Sequence, residues 1–376
     1  VSSVLQLLGP STGGIRLHVA ELSRRLPDLG WRVSVAGPAG VMDGLLPAQE
    51  RLDVPPAWVL PAFRRSARRL EELCDGIDVL HVHGSKAMRV AMLARRRPPT
   101  VLTVHNLVDG TQPGPLVPVL RRLERRVVRA ADELIVINDE MERRFTGTVA
   151  PGRVSFVLPA SPPRVPGEAP DAVRRRLGVA PDAPLVVVVA RHHRQKNLGM
   201  FLEAVHLARR DLPALRAVLV GDGPERAALE ARADRLGLRD VVVFAGQRPN
   251  PADEMCAADV VALSSDWEGS ALVVAECLRL GRPLVTTAVG TVTRLLRDRE
   301  HARVTPIGDP QAFAAALVET LRDRDGALAM GVAGSALAAT TFDPDVLVGL
   351  VERVYRRAVE DNRRQPHRGR ATPVHP

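Results

Sequence analysis

Short runs of β-branched and apolar residues recur in two series along this chain, each run followed by a segment of helical periodicity. The first series is "SSVLQLLG", "WRVSVAGP", "IDVLHVHG", "TVLTVHN" and "DELIVIN"; the second is "PLVVVVA", "RAVLVGDG", "DVVVFAG", "DVVALSS" and "RPLVTTAVG". Strand runs alternating with helices imply parallel sheets covered on both faces, because a parallel neighbour requires a crossover that places a helix on the sheet. Between the first two runs, Ile15, Val19, Leu22 and Leu26 recur at helical spacing and Gly30 stands where a helix would stop.

The two series are separated by "LPASPPRVPGEAPDAV", Leu158 to Val173, where proline, glycine and alanine can sustain neither a central strand nor a helix interior. With 376 residues and 45% hydrophobic content the chain is long enough for two cores. The expected class is therefore α/β, with two Rossmann-like, doubly wound parallel-sheet domains facing a central cleft. The expected boundaries are 1–165 for an N-terminal domain and 166–342 for a C-terminal one. A helix over 343–360, with Asp343 as N-cap and Pro344 in its first turn, should cross back to the N-terminal domain, leaving 361–376 as a disordered basic tail.

Composition removes several classes. No apolar run approaches the roughly 20 residues of a membrane span, and the first residues lack the features of a signal peptide, so a cytoplasmic location is expected. Cys74, Cys256 and Cys277 are scattered and odd in number, which suits reduced structural thiols. The net charge of +9 is carried almost wholly by arginine and favours anionic partners. Aromatic residues at 3% leave few platforms for stacking bases, so nucleic acid is not an expected partner.

Ligands of open α/β sheets sit beyond the carboxyl ends of the strands, so the residues at the end of each run are the candidates for chemistry. After the first run, Gly13 and Gly14 precede a helix and let backbone approach a phosphate or sugar, although a strand-to-helix turn needs glycine in any case. After "PLVVVVA", Arg191 and Lys196 place two cations at a strand exit, a pair suited to the charge that develops on a departing diphosphate. Lys196 is the more informative because Lys86 is the only other lysine. Gly221 and Gly223 in "GDGP", and Arg248 in "FAGQRP", stand at two further exits, where ordinary turns are an equal explanation.

In "WEGSALVVAE", Glu268 and Glu276 are eight positions apart across Gly269, Ser270, Ala271 and Leu272. With a helix starting near Ser270 their separation is on the order of 12 Å, long for the carboxyl pair of a glycosidase and suited to two ends of an elongated ligand such as a nucleotide sugar. Asp323 with Asp325, and Asp343 with Asp345, have the spacing of a metal-binding acidic pair, yet both sit at helix ends where capping explains them. His81 and His83 share a strand face without an evident third ligand, so no metal is expected.

Taken together, "STGGIRLHVAELSRRL", "TVHNL", "DELIVINDEMERRF", "ARHHRQKN", "LVGDGPERAALE", "VVFAGQ" and "SSDWEGSALVVAECLRLGRPLVTTAVG" resemble family 4 retaining glycosyltransferases of the GT-B fold, of actinobacterial type, over about Val4 to Glu360. The resemblance implies that Glu268 lies near the donor sugar, that Glu276 binds the ribose, and that Arg191 and Lys196 hold the diphosphate. It further implies that Gly13 and Gly14 form the glycine loop, that His105 contacts the transferred sugar, and that the N-terminal domain binds the acceptor and the C-terminal domain the nucleotide sugar. Ser270 stands where an aromatic is common, and Thr291 where the family has a second glycine.

The expected activity is retaining transfer of a hexosyl group from a nucleoside-diphosphate sugar, a UDP-sugar first and a GDP-sugar second, to a hydroxyl of a lipid, glycan or small molecule, without metal or other cofactor. A nucleotide-sugar epimerase, a sugar phosphorylase and a non-catalytic nucleotide-sugar binder are the alternatives. On the segment "VPVLRRLERRVVRAADE", Leu120, Leu123 and Val127 mark a buried face, whereas Arg121, Arg125 and Arg129 form a cationic row. With Arg64, Arg65, Arg68, Arg69 and Arg95 to Arg97, this row suits either a solvated face or an anionic membrane surface at its inner face.

Overall fold

The structure, a computed structural model, describes residues 1–11, 13–44, 46, 49–55, 60–107, 117–270 and 272–364. The chain divides into two units: Val1–Pro162 with Pro344–Pro376, and Pro163–Asp343.

The first unit contains strands β1 (Ser2–Leu8), β2 (Trp31–Gly37), β3 (Glu50–Arg51), β4 (Val79–His83), β5 (Thr100–Val104), β6 (Glu133–Val136) and β7 (Val154–Phe156). They form one parallel sheet in the order β3-β2-β1-β4-β5-β6-β7. Helices α1 (Gly14–Arg25), α2 (Leu60–Leu73), α3 (Ser85–Ala91), α4 (Val117–Arg129) and α5 (Asp139–Phe145) connect the strands. The central strands are buried on both faces because helices cover both, and the apolar core gathers around Phe63 and Phe145, both fully buried.

The second unit holds β8 (Leu185–Val189), β9 (Arg216–Val220), β10 (Val242–Gly246), β11 (Val260–Leu263), β12 (Leu284–Thr287) and β13 (Arg303–Thr305), parallel in the order β10-β9-β8-β11-β12-β13. Its helices are α6 (Pro170–Arg176), α7 (Leu198–Ala208), α8 (Arg226–Arg235), α9 (Ala252–Ala257), α10 (Leu272–Arg279), α11 (Val292–Leu295), α12 (Pro310–Arg322) and α13 (Arg324–Thr341). Phe201 and Phe313, edge to face at 6.4 Å, lock α7 against α12. Truncating either to alanine would cost about 3–5 kcal/mol.

The last helix, α14 (Pro344–Arg364), belongs to the first unit. Tyr355 is fully buried there, its hydroxyl 2.6 Å from His81 Nδ1 and its ring edge-on to Trp31. Trp31 Nε1 donates to Glu352 at 3.2 Å, and Arg357 pairs with the buried Glu133 of β6. The helix runs to Arg364, four residues past the expected end at 360; of the expected tail, 365–376 lie outside the described residues.

Other departures have local causes. Helix α1 ends at Arg25, since Pro27 cannot continue its hydrogen bonding, and a 3₁₀ turn over Leu26–Leu29 carries the chain to Gly30 in the left-handed region. On α4, Arg121, Arg125 and Arg129 are exposed, but Leu120 and Leu123 are only half-buried and Glu124 is buried, paired with Arg144 at 2.5 Å. Arg97 is not a free surface cation: its guanidinium donates to the Ala130 carbonyl at 2.9 Å and stands 3.8 Å from Asp132. Asp323 caps α13 by accepting from Gly326 N at 2.9 Å, and Asp345 pairs with Arg25. The three cysteines are free.

Candidate functional site

In the second unit the strand order reverses between β8 and β11, the switch point at which open α/β sheets bind ligands. The two strand exits are tied together there. Ser264 Oγ donates to the Lys196 carbonyl at 2.8 Å, Asp266 N to the Gln195 carbonyl at 2.9 Å, and Asn197 Nδ2 to Asp266 Oδ1 at 2.6 Å. Asn197 adopts a left-handed backbone, φ 42°, which asparagine tolerates better than most residues, and its side chain caps α7.

This frame holds Lys196 and Glu268 against each other. Lys196 Nζ lies 2.5 Å from Glu268 Oε1, the same oxygen accepts from Ser265 Oγ at 2.6 Å, and Gln195 Nε2 reaches Oε2 at 3.4 Å. The Glu268 side chain is 6% exposed and that of Lys196 19%, so the pair is largely withdrawn from water. Gly290, at φ 55°, packs so closely on Glu268 that a Cβ would lie 3.1 Å from its carbonyl oxygen. The glycine retained before Thr291 thus keeps the Glu268 loop in place, and Thr291 itself starts α11. Arg191 is exposed at the same strand exit.

Glu276 is the fifth residue of α10 and its side chain is 9% exposed. Burial pushes its carboxyl upward, opposed chiefly by Arg164 and less by Arg279. Arg164 Nε donates to Glu276 Oε1 at 3.2 Å while its Nη1 donates to the Pro249 carbonyl at 2.9 Å. Gly269 and Ser270 lead into α10, Leu272 is its first residue, and Ala271 lies outside the described residues. Arg248 lies close to the buried Glu254, at 3.1 Å, which occupies it structurally.

Gly221 and Gly223 have a packing reason. A Cβ on Gly221, whose φ is 133°, would fall 1.9 Å from the Ala190 carbonyl oxygen, and one on Gly223 2.3 Å from that of His192. The β9 exit can therefore lie on the β8 exit, where His192 N donates to the Asp222 carbonyl at 2.9 Å and Glu225 N to that of His192 at 3.1 Å. His192 is fully buried, edge-on to Phe244, with neither ring nitrogen hydrogen-bonded. Burial lowers its pKa and keeps it neutral at neutral pH.

In the first unit the switch lies between β1 and β4. Gly13, at φ 121°, is the N-cap of α1 and Gly14 its first residue, so the glycine loop delivers a helix start there. Four buried histidines gather nearby: His18 on α1, His81 and His83 on β4, and His105 just after β5. His105 Nε2 lies 3.3 Å from His83 Nδ1, and His83 Nε2 lies 3.1 Å from Gln6 Oε1. Gln6 in turn donates to Ser23 Oγ at 3.0 Å, and Ser23 Oγ donates to the Val19 carbonyl at 2.8 Å.

That chain of donors sets the ring tautomers. Ser23 spends its proton on Val19, so the Gln6 amide nitrogen faces Ser23 and its oxygen must accept from His83 Nε2–H. His83 Nδ1 then accepts from His105 Nε2–H, which leaves His105 Nδ1 as an acceptor. His18 Nδ1 accepts from Ala160 N at 3.0 Å. Burial lowers His18 to about 4 and His105 to about 3, and holds His81 and His83 well below 6.5, so all four are neutral at neutral pH. Gln6, His18 and Arg164 escape a reading by motif. The signal for Gln6 is a lone amide inside an apolar strand, which must find partners when buried.

Among the described residues no three His, Cys, Asp or Glu side chains are grouped so as to hold a metal ion, and no helix is long and apolar enough to cross a membrane. The chain matches two family profiles: Glycosyltransferase Family 4 over residues 12–160 and Glycosyl transferases group 1 over residues 183–323. It is similar to the D-inositol 3-phosphate glycosyltransferase of Thermobispora bispora, 30% identical over 93% of this chain and 90% of that protein. To the protein of the same name from Kribbella flavida it is 32% identical, over 93% and 91%. Its fold is similar to that of Anabaena Alr3699/HepE in complex with UDP and glucose, with a TM-score of 0.84 at 20% identity over 95% of this chain and 100% of that one. Sucrose-phosphate synthase from Thermosynechococcus elongatus gives a TM-score of 0.78 at 21% identity, over 96% and 100%.

Proposed function

Because the chain belongs to glycosyltransferase family 4 and has the GT-B fold, we propose that it moves a hexosyl group from a nucleoside-diphosphate sugar to a hydroxyl acceptor with retention at the anomeric carbon. The observation that carries this reading is the Lys196–Glu268 pair held at the β8/β11 switch point. A lysine ammonium has three protons; Glu268 takes one and two remain for phosphate oxygens. With Arg191 exposed beside it, Lys196 supplies fixed positive charge where the leaving diphosphate gains negative charge. Glu268 is assigned to the neighbourhood of the donor sugar, and His105 to the transferred sugar. The glycosidic C1–O bond to the diphosphate breaks as the acceptor oxygen bonds C1 on the same face, and the acceptor proton passes to the departing diphosphate oxygen. Catalysis then rests on charge and positioning, with no metal required.

UDP-sugars are the first donors to test, supported by the UDP complexes of the similar Anabaena protein, and GDP-sugars the second. Among acceptors, D-inositol 3-phosphate comes first because the relatives from Thermobispora bispora and Kribbella flavida are named for it. The assay tracks the anomeric product by NMR in the presence of chelator. Undiminished, retaining transfer is expected, with losses of about 100-fold or more in Lys196→Ala and Glu268→Gln. Full activity in both folded variants would sink the assignment. Donor conversion without acceptor would indicate an epimerase, phosphate dependence a phosphorylase, and donor binding without turnover a binding protein.

A peripheral membrane location at the cytoplasmic face is a second proposal, supported by the exposed Arg64, Arg65, Arg68 and Arg69 on α2 and the exposed arginine row on α4. Salt-sensitive flotation with anionic vesicles is expected, and absence from them at low salt would end it.

A further inference from the structure

Glu276 is reached by a residue from a segment with no motif of its own. Arg164 lies two residues beyond Pro162, at the start of the second unit, in the proline-rich stretch that joins the units. That stretch is stitched to the loop after β10 and to α9. Asn250 Nδ2 donates to the Val165 carbonyl at 2.8 Å, and Gly167 N and Glu168 N donate to Asp253 Oδ1 at 2.6 and 3.1 Å. With its backbone anchored, Arg164 bridges two elements, donating through Nε to Glu276 and through Nη1 to the Pro249 carbonyl.

The bridge has a chemical effect on Glu276. A carboxylate withdrawn from water tends to take up a proton, and a neutral carboxyl accepts only weak hydrogen bonds. Arg164 is the largest influence opposing that tendency, and it occupies only Oε1, leaving Oε2 without a hydrogen-bond partner among the described residues. We propose that Arg164 is a positioning residue of the nucleoside site, holding Glu276 as an oriented carboxylate whose free oxygen accepts from a ribose hydroxyl. Discrimination between ribo- and deoxyribonucleotides therefore depends on Arg164, which need not touch the nucleotide. This rests on the reading of Glu276 as the ribose-binding carboxylate.

The test is calorimetric titration of the full chain, in chelator, with UDP, 2′-deoxy-UDP and 3′-deoxy-UDP, and with the corresponding GDP set. Wild type is expected to prefer a ribonucleotide over one of its deoxy analogues by about tenfold to hundredfold, the worth of a hydrogen bond to a charged group. In Arg164→Ala the ratio should fall to about threefold, and Arg164→Lys, which keeps the charge, should restore part of it. If Arg164→Ala weakens ribo- and deoxyribonucleotides equally, the arginine is only structural and the proposal is overturned. A wild type that binds UDP or GDP without ribose preference refutes the role of Glu276. A wild type that binds neither refutes the donor-site reading itself.

Discussion

Acidification should unfold the first unit well before the second, because four histidines are buried there in neutral form. In the unfolded chain each ring titrates near 6.5; in the folded unit His18 and His105 resist protonation down to about 4 and about 3, and His81 and His83 are lowered in the same direction. The unfolded state therefore binds more protons below 6.5, so stability is fully present above that pH and is lost as pH falls toward the folded values. Between pH 7 and pH 5 His18 and His105 each cost about 2 kcal/mol, from 1.36 kcal/mol per pKa unit. His18 and His105 together remove about 4 kcal/mol, and His81 and His83 add to this in the same direction, against a total of about 5–15 kcal/mol for an ordinary domain. Hydrogen exchange read by mass spectrometry should show peptides of β1, β4 and β5 losing stability by at least about 2 kcal/mol per pH unit between pH 6 and pH 5, above the range where most carboxylates titrate. Peptides of β8, β9 and β11 should change far less, since His192 is the one ring of the second unit held down by burial among the described residues. His105→Asn should lower the slope by about one proton, about 1.4 kcal/mol per pH unit. Equal slopes in both units, or an uptake below about one proton in the first, would refute the reasoning.

Three further outcomes are expected. Gly221→Ala should destabilise the second unit by about 3 kcal/mol or more, measured by urea denaturation, because its Cβ would meet the Ala190 carbonyl in a left-handed backbone. His192→Leu should leave stability unchanged or raise it by about 1 kcal/mol, since it removes two unpartnered buried nitrogens; a loss above about 2 kcal/mol would show that they have partners in solution. In ¹⁵N spectra of histidine-labelled protein, His105 Nδ1 should be unprotonated and Nε2 protonated, and Gln6→Met should average the two; a protonated Nδ1 in the wild type contradicts the hydrogen-bond chain through His83.

Long apolar runs such as "PLVVVVA" and "TVLTVHN" announce buried parallel strands because both faces are covered, and those strands are where the runs are. The edge strands β3, β7 and β13 are two or three residues long, too short to carry a period, and depend on pairing with a neighbour already in place. Lys196 and Glu268 stand 72 positions apart, yet each is visible as a charged residue at a strand exit, and the switch point brings them together. Arg164 is hidden by its surroundings, since a proline-rich stretch reads as a boundary whatever side chain it carries. The neutrality of the histidines is likewise a property of packing: "HVH" shows two rings on one face, but only the completed unit buries them beside His18 and His105.

The return of α14 has a consequence for synthesis on the ribosome. Glu352, Tyr355 and Arg357, which satisfy Trp31, His81 and Glu133, emerge after the whole of the second unit. The second unit is continuous in sequence and has its full complement of strands by Thr305, whereas the first must wait with the Trp31 indole N–H and His81 Nδ1 lacking the partners α14 brings and with Glu133 held by Arg153 but not yet by Arg357. The unit translated first is thus completed last, and its exposed intermediate persists for the time needed to translate the second. A ribosome stalled after Asp343 should carry a protease-resistant second unit joined to a protease-sensitive first one.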